Sequence, residues 1–402
     1  VSYESVRWMN GGNVVNMSRK ANLIGICGVS SLCILLLIAT QHRPLPEPSY
    51  TTETYDQSVT IVDVLSQQRS RIVQEMENFE YPSGRFGVDA EKLTDLTPES
   101  GGSPVRSVII TTWRSGSTFL GDILNAMPGN FYHYEPLLNF EINQIRGPPN
   151  DKRAIRNLKK LLNCEYSGME EYLSYGKEHK YLFEHNERLW AQCKEYPHFC
   201  WRPKFLTPFC KLFPLQSMKV VRLRLSVAER LLEDESLNVR LLLLVRDPRG
   251  TMQSRKHRYW CPGNPDCDYA PNLCKDLVAD YYAAEKLYKK YPSRFRILRY
   301  EDLSINPYEM TQEVLQFYGL PFDPMVEEFL DTHTKLNIGG VSSTFRDSKS
   351  APFHWIKDLT WDEIEKIEDS CTKAMDLWGY RKSNSSSELT KSFDPLLAAP
   401  FT

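Results

Sequence analysis

From residue 105 onward, short apolar segments alternate with longer stretches in which apolar residues recur at helical spacing. This alternation is typical of an α/β domain, because parallel strands are joined by crossover helices. Residues 239–245 read VRLLLLV, an aliphatic run that indicates a central strand buried on both faces. The pattern therefore predicts a parallel sheet flanked by helices. Its predicted strands are residues 107–112, 131–134, 218–223, 239–245 and 294–300.

Helix boundary signals place several of the flanking helices. A helix is predicted at residues 117–126, directly after the first strand. Asn306 followed by Pro307 predicts the start of a second helix, with Asn as the cap. Thr360 and Glu363 have the spacing of a capping box and predict the start of a third. The last two helices are interpreted as packing elements.

The amino-terminal region has the pattern of a membrane anchor. Residues 21–40 carry no charged side chain and are long enough for a membrane-spanning helix. Arg7, Arg19 and Lys20 precede them, and the positive-inside rule then places the amino terminus in the cytosol. A cleaved signal peptide is the alternative, although the apolar run is longer than a usual signal sequence. The predicted organisation is a cytosolic tail at residues 1–20, a transmembrane anchor at 21–40, a luminal stem at 41–104, a catalytic domain at 105–385 and a carboxyl-terminal tail at 386–402.

Composition restricts the possible ligands and the compartment. The 402 residues carry a net charge of −2, so the protein as a whole has no electrostatic attraction for nucleic acid. Any anion binding must come from local clusters of basic residues. Eight of the ten cysteines follow residues 21–40, and no Cys-x-x-Cys pair occurs. This usage favours disulfides in an oxidising compartment over a metal site, with the pairing left open. Asn384 begins an N-glycosylation sequon.

The first predicted strand runs directly into Trp113-Arg114-Ser115-Gly116-Ser117-Thr118 and then into a helix. We call residues 113–118 the first turn. In this arrangement free backbone N–H groups and the helix dipole point toward an anion. Gly116 lets the backbone approach a phosphate closely, and Arg114 supplies charge. Ser117 and Thr118 add hydroxyl donors. A small strand-to-helix turn without a ligand is the alternative.

The first turn is not a Walker A loop. It lacks both the first glycine and the lysine of that motif. A site for a magnesium–nucleoside triphosphate complex is therefore disfavoured.

The strand VRLLLLV ends in Arg246-Asp247-Pro248-Arg249-Gly250-Thr251-Met252-Gln253-Ser254, which we call the second turn. Parallel sheets bind ligands at the carboxyl ends of their strands. Arg246 and Arg249, with Ser254 farther along the following helix, are suited to hold a second phosphate. A solvated arginine pair bonded to Asp247 is the alternative. Two anion sites on separate strand ends predict one ligand with phosphates at two positions.

At these residues the chain resembles the Golgi carbohydrate sulfotransferases, particularly the galactose, N-acetylglucosamine and N-acetylgalactosamine 6-O-sulfotransferases. The resemblance extends over residues 105–380 and implies a P-loop-like fold. It includes Tyr134-Glu135-Pro136-Leu137, Leu298-Arg299-Tyr300-Glu301-Asp302-Leu303 and the ending Cys371 to Gly379-Tyr380. It implies that the 5′ end of 3′-phosphoadenosine 5′-phosphosulfate is bound by Arg114, Ser115, Gly116, Ser117, Thr118, Phe119 and Leu120. It implies that the 3′-phosphate is bound by Arg246, Asp247, Pro248, Arg249, Gly250, Thr251, Met252, Gln253 and Ser254.

The resemblance also implies the reaction and its setting. A sugar hydroxyl, the 6-hydroxyl of N-acetylglucosamine, N-acetylgalactosamine or galactose, is expected to attack the sulfuryl group in line, without a metal. Arg114 is expected to stabilise charge on the departing phosphate. The expected partner is a glycan acceptor on a glycoprotein or proteoglycan, with no nucleic acid. The expected location is the Golgi membrane, as a single-pass type II protein with a luminal catalytic domain.

Glu135 is the first candidate for the general base, because it ends the second strand and reaches the same sheet edge as the donor. His133 is the alternative. In a purely structural interpretation, Glu135 pairs with a basic side chain such as Arg222 and His133 points away from the site. Arg346 is expected either to contact donor or glycan or to be a solvated loop arginine.

The acceptor-binding region has no readable motif. Residues 163–213 are assigned to glycan-facing loops and helices, and residues 261–274 either form a disulfide-tied rim of the acceptor site or pack rigidly. Two other functions stay open: a catalytically inactive glycan-binding relative and a P-loop nucleotide kinase. The missing Walker lysine and the predicted luminal topology disfavour the kinase.

Overall fold

The computed structural model describes residues 59–82, 84, 88–340, 343–390 and 392–401. The predicted cytosolic tail and anchor, residues 1–40, lie outside these ranges, as do the first residues of the predicted stem. Within the described ranges, no helix is both long enough and apolar enough to cross a membrane.

The strands form one parallel sheet, as the apolar pattern predicted. They are β1 (Val105–Ile110), β2 (Asn130–Tyr134), β3 (Leu215–Val220), β4 (Val239–Val245) and β5 (Phe295–Arg299). They lie side by side in the order β2-β3-β1-β4-β5. Every residue of β1, β3 and β4 is buried, which explains the continuous apolar sequence of β4. The bounds of β4 are as predicted, and β3 begins at Leu215 rather than at residue 218.

Helices flank the sheet. They are α1 (Ile61–Glu75), α2 (Leu93–Leu96), α3 (Ser117–Ala126), α4 (Asp151–Leu162), α5 (Glu170–Glu178), α6 (Tyr181–Glu184), α7 (Glu187–Glu195), α8 (Pro203–Cys210), α9 (Leu225–Leu232), α10 (Pro248–Lys256), α11 (Pro265–Asp268), α12 (Ala270–Lys290), α13 (Tyr300–Ile305), α14 (Pro307–Tyr318), α15 (Pro324–His333), α16 (Trp355–Asp358) and α17 (Trp361–Trp378). α3 packs on β2 and β3, α9 on β4, and α14 on β1. Because β1 leads into α3 and β4 into α10, the two turns lie at the same edge of the sheet.

The predicted helix starts are present with one difference. Thr360 and Glu363 exchange both hydrogen bonds of a capping box at the start of α17. Asn306 precedes α14 as predicted, but its side chain makes no capping hydrogen bond. The start of α14 is therefore favoured by Pro307, whose fixed φ suits the first helical position, and not by a side-chain cap.

Residues 59–104, expected to belong to a stem, pack against the domain instead. Val64 and Ile72 of α1 are buried in the core, and α1 packs against α8. The carboxyl-terminal segment, expected to be a tail, also packs: Phe393 is buried and Leu396 pairs with Tyr380. The folded domain is thus larger at both ends than residues 105–385.

The eight cysteines beyond the predicted anchor form four disulfides, confirming the expectation of disulfide use. The pairs are Cys164–Cys210, Cys193–Cys200, Cys261–Cys267 and Cys274–Cys371. The first two lie within residues 163–213, which form α5 to α8 and their connections. The segment at residues 261–274 is closed by Cys261 and Cys267, whereas Cys274 joins α12 to α17.

Candidate functional site

A cavity of about 1240 Å³ lies at the carboxyl ends of the strands, and we call it the edge cavity. Arg114, Glu135, Arg246 and Tyr300 line it, and they follow β1, β2, β4 and β5 respectively. Arg114 and Glu135 both have positive φ angles, 67° and 41°, which are unusual for residues other than glycine. Such strained positions cluster at functional sites.

The first turn is held in shape by contacts behind the cavity. Gly116 has a φ of 84°, and a Cβ there would lie 2.1 Å from a ring carbon of Tyr300, so no larger residue fits. Ser115 is buried, and its hydroxyl donates to the carbonyl oxygen of Thr112. Leu120 is buried in the core. Ser115 and Leu120 therefore support the turn and do not face the cavity.

The second turn is fixed by buried carboxylates. The backbone N–H of Asp247 donates to Glu301 at 3.0 Å. Arg249 is fully buried: its guanidinium pairs with Asp247 at 2.7 Å and with Glu368 at 2.7 Å. It also stacks over the ring of Trp355. The expectation that Arg249 holds a phosphate does not match this position, because its charge is already satisfied inside the protein.

Arg246 joins the two turns. Its Nη1 donates to the carbonyl oxygen of Arg114 at 2.8 Å, and Arg114 Nε donates to Ser254 Oγ at 3.0 Å. Burial lowers the pKa of Arg114, and the charges of Arg258 and Arg246 contribute, bringing it to about 10. The two turns converge on one site, as the sequence predicted. The crowding of positive charge there favours a bound anion.

The predicted donor-binding residues divide into two groups. Those that line the edge cavity are Arg114, Gly116, Ser117, Thr118, Phe119, Arg246, Gln253 and Ser254. Those that do not line it are Ser115, Leu120, Asp247, Pro248, Arg249, Gly250, Thr251 and Met252. The second group contributes backbone and packing to the two turns.

Glu135 lines the cavity within an ion-pair cluster. Its carboxylate accepts from Lys219 at 3.0 Å and from Arg222 at 2.7 Å, so the pairing with Arg222 foreseen in the structural interpretation is present. Burial alone would raise the pKa of Glu135, but the charges of Lys219 and Arg222 outweigh it and lower the pKa to about 2. Lys219 Nζ also lies 3.4 Å from Thr118 Oγ1. This lysine therefore connects Glu135 to the first turn.

His133, the alternative base, does not reach the cavity. Its ring is buried against Phe131, and burial lowers its pKa to about 3. Other histidines do line the cavity, among them His185, whose ring stacks on Tyr134 at 3.7 Å. Tyr134, the residue next to His133 on β2, does line the cavity, because neighbouring residues of a strand point to opposite faces.

Several regions expected to face the acceptor also line the edge cavity. Tyr175, Tyr181 and His185 from residues 163–213 line the cavity. Trp260, next to the Cys261–Cys267 disulfide, lines it as well. Arg346 is also a lining residue, and its Nη2 donates to the carbonyl oxygen of Gly340. In the part of the chain that the structure describes, no group of three potential metal ligands is present.

Sequence reasoning missed Lys219 and Tyr300. Lys219 lies within the fully buried strand β3, where a charged residue is the signal of a functional or paired position. Tyr300 belongs to a motif that was noted only for its resemblance, and its role against Gly116 required the fold.

Comparison with known proteins agrees with this arrangement. The sulfotransferase domain family matches residues 104–379, which is more than half of the chain. Carbohydrate sulfotransferase 5 of Mus musculus is 27% identical over 341 residues, covering 73% of this chain and 85% of the relative. Carbohydrate sulfotransferase 6 of Homo sapiens is 25% identical over 342 residues, with 73% and 85% covered. A sulfotransferase domain from the Synechococcus PCC 7002 olefin synthase aligns with a TM-score of 0.37 at 16% identity, covering 66% of this chain and 94% of that one, a likeness too weak to carry an argument.

The family match spans both turns, β2 with Glu135, and the Tyr300 segment. The chain therefore belongs to the sulfotransferase family and is a sulfotransferase enzyme, and its resemblance to the carbohydrate sulfotransferases is confirmed.

Proposed function

We propose that the enzyme transfers a sulfuryl group from 3′-phosphoadenosine 5′-phosphosulfate to the 6-hydroxyl of N-acetylglucosamine, N-acetylgalactosamine or galactose in a glycan. The observation that carries this proposal is the convergence of the two turns, in which Arg246 contacts Arg114 and Arg114 contacts Ser254. A ligand with anionic groups at two positions fits between such turns. The names of the similar carbohydrate sulfotransferases support a sugar acceptor.

The residues present fit the donor. Arg246 Nε is buried and has no hydrogen-bond partner among the described residues, so a donor group is available for a phosphate oxygen. Burial lowers the pKa of Arg114, and repulsion from Arg258 and Arg246 lowers it further. An anion bound there would remove this repulsion. When bound, the donor supplies an activated sulfuryl group, and the protein supplies charge and position.

The two turns would hold opposite ends of the donor. Arg114, Ser117 and Thr118 lie at the start of α3, where backbone N–H groups and the helix dipole favour the 5′-phosphosulfate. Arg246 and Ser254 would hold the 3′-phosphate. Arg249 has no part in this assignment, because both of its carboxylate partners are internal.

Glu135 is the proposed base and orienting group for the acceptor hydroxyl. With a pKa of about 2 it stays ionised at neutral pH, so it is an acceptor of the hydroxyl hydrogen bond before reaction. Its low proton affinity restricts proton transfer to a late stage, when the hydroxyl has become acidic. Lys219, which contacts both Glu135 and Thr118, would stabilise charge on the departing phosphate.

The proposed setting is the Golgi membrane, with residues 21–40 as the anchor and the catalytic domain in the lumen. Four disulfides within the described residues support an oxidising compartment.

Incubation of the full chain with radiolabelled sulfate donor and a panel of defined glycans tests the proposal. We expect label on the 6-position of one of the three named sugars, loss of labelling in Arg114→Ala, and retention in Arg71→Ala, an exposed control on α1. Donor binding without turnover on any glycan would contradict the proposal and favour a glycan-binding relative. Magnesium-dependent ATP turnover would favour a nucleotide kinase.

A further inference from the structure

A second, shallow cavity of about 370 Å³ lies beside α4, separate from the edge cavity. Its lining contains five cationic side chains and one carboxylate. The cations are Lys152, Arg156, Lys159, Lys160 and Arg230, and the carboxylate is Glu165. This concentration of positive charge contrasts with the net charge of −2 of the whole chain.

The positive charge comes from one face of α4. Lys152, Arg156, Lys159 and Lys160 are spaced i, i+4, i+7 and i+8, and we call them the basic stripe. The other face of the same helix is buried, with Ala154 and Leu158 among its core residues. With a rise of 1.5 Å per residue, the stripe extends over about 12 Å. It is therefore a linear row of cations, in which Lys152 and Arg156 are exposed to solvent and Lys159 and Lys160 are half-buried.

Three of the five cations have internal partners: the Nζ of Lys160 donates to the carbonyl oxygen of Ser167 at 2.8 Å, and the other two form ion pairs. Arg230 pairs with Asp151 at 2.8 Å and Lys159 with Asp234 at 2.6 Å. Over the described ranges, no carboxylate lies within salt-bridge distance of Lys152, Arg156 or Lys160.

Some other surface lysines are paired within their own neighbourhood. Lys289 pairs with Glu285 of the same helix, α12, and Lys335, which follows the end of α15, pairs with Asp331. α4 has no acidic residue after Asp151, so its like charges at i, i+4 spacing destabilise the helix slightly. A bound polyanion would convert this repulsion into attraction.

The chain connects the basic stripe to the edge cavity. Glu141 and Ile142 line the edge cavity, and Ile145 then bridges to Leu223 just after β3. α4 begins six residues later and ends where the carbonyl oxygen of Leu162 accepts from Arg106 at the amino end of the sheet. The basic stripe therefore begins near the carboxyl end of the sheet, where the edge cavity lies, and runs toward the amino end of the sheet.

We propose that the basic stripe binds a glycan chain that already carries sulfate groups, as a second site on the enzyme for polymeric substrate and product. The proposal rests on the proposed function, because an enzyme that adds sulfate to a glycan generates an anionic chain at the edge cavity. A linear polyanion matches the linear arrangement of cations. The site would hold long acceptors near the edge cavity by raising their effective concentration, and short acceptors would not reach it.

The test variant is Lys152→Ala/Arg156→Ala, because both side chains are exposed and partnerless within the described residues, so the fold is retained. The matched control is Lys275→Ala/Lys286→Ala, which removes two exposed charges from α12, away from both cavities. Binding of the full chain to heparin, a sulfated polysaccharide, is measured at several salt concentrations. We expect the slope of log Kd against log salt to fall by roughly 1–2 in the test variant only.

Kinetics give a second measurement. With partly sulfated polymeric acceptors, KM should rise several-fold in the test variant, while kcat and the KM for an unsulfated disaccharide stay unchanged. Equal heparin binding by the test variant and the parent protein would overturn the proposal, as would an equal loss in the control. Equal affinity for a DNA duplex or for anionic lipid vesicles would also overturn it. Heparin binding needs no turnover, so it separates failure of this inference from failure of the proposed function.

Discussion

Arg246 and Arg249 belong to the same turn but occupy opposite environments. Arg246 lines the edge cavity, whereas Arg249 is buried between two carboxylates. We expect Arg246→Ala to weaken donor binding by roughly 10- to 100-fold, the value of a hydrogen bond to a charged group, with little loss of stability. Arg249→Ala should lower the free energy of unfolding by about 3–5 kcal/mol, because it leaves Asp247 and Glu368 buried without their cation.

Calorimetric titration with the donor product and urea unfolding measure the two quantities on both variants. If the Arg249→Ala protein kept its stability but bound the donor product more weakly, Arg249 would be a donor-binding residue and its proposed structural role would be wrong.

Glu135 is the residue on which the proposed chemistry depends most. We expect Glu135→Gln to lower kcat by roughly 100-fold or more, since a positioned acid or base contributes that much, while donor affinity changes little. Because its pKa is about 2, activity should show no acid limb from Glu135 between pH 4 and pH 8. Steady-state rates across this pH range check both statements. Glu141→Gln is the control, since Glu141 also lines the cavity and is exposed. An equal loss of kcat in Glu141→Gln would contradict the proposed role of Glu135 as the base.

The position and contacts of a single residue could be predicted from sequence only where the neighbouring sequence pattern determines its surroundings. Arg114 and Arg246 follow predicted strands, so their convergence could be foreseen from the rule for parallel sheets. The environment of Arg249 depends on Glu368, which is distant in sequence, and no local pattern encodes that contact. Lys219 was missed because its strand reads as core and its partners, Glu135 and Thr118, come from two other strand ends.

At the scale of elements, α1 is the helix whose role differs most from expectation. Val64 is fully buried, whereas Val62 on the same helix is 73% exposed. We expect Val64→Ala to lower the free energy of unfolding by about 2 kcal/mol, the value of burying a valine side chain. Val62→Ala, the same chemical change, should stay within about 0.5 kcal/mol. Urea unfolding of both variants measures the difference, and equal stability would mean that α1 does not contribute to the domain.

The elements differ in how strongly the sequence defines them. β4 was placed correctly because a strand buried on both faces has no polar position to obscure the pattern. The buried stripe of α1 contains Val64, Gln68 and Ile72, so its central position is polar and the segment resembles a solvated stem. Gln68 is accommodated by a hydrogen bond with Gln192 of α7, a tertiary contact that periodicity does not reveal.

For the whole molecule, the disulfides join parts of the chain that the sheet alone does not connect. Sequence predicted their existence from the even number of cysteines, but the pairing follows from the fold, which brings α12 against α17. Cys274–Cys371 closes 97 residues, whereas Cys193–Cys200 closes only 7. In the chain-entropy view, the longer loop restricts the unfolded state more.

We therefore expect Cys274→Ala/Cys371→Ala to cost about 2 kcal/mol more in unfolding free energy than Cys193→Ala/Cys200→Ala. All four side chains are buried, so the cavities left by the alanines are comparable and the loop length is the main difference. Denaturant unfolding of the two double variants under oxidising conditions measures the gap. If the two double variants lost the same unfolding free energy, the longer loop would give no extra restriction of the unfolded chain. The disulfide between α12 and α17 would then stabilise the protein through contacts in the native state.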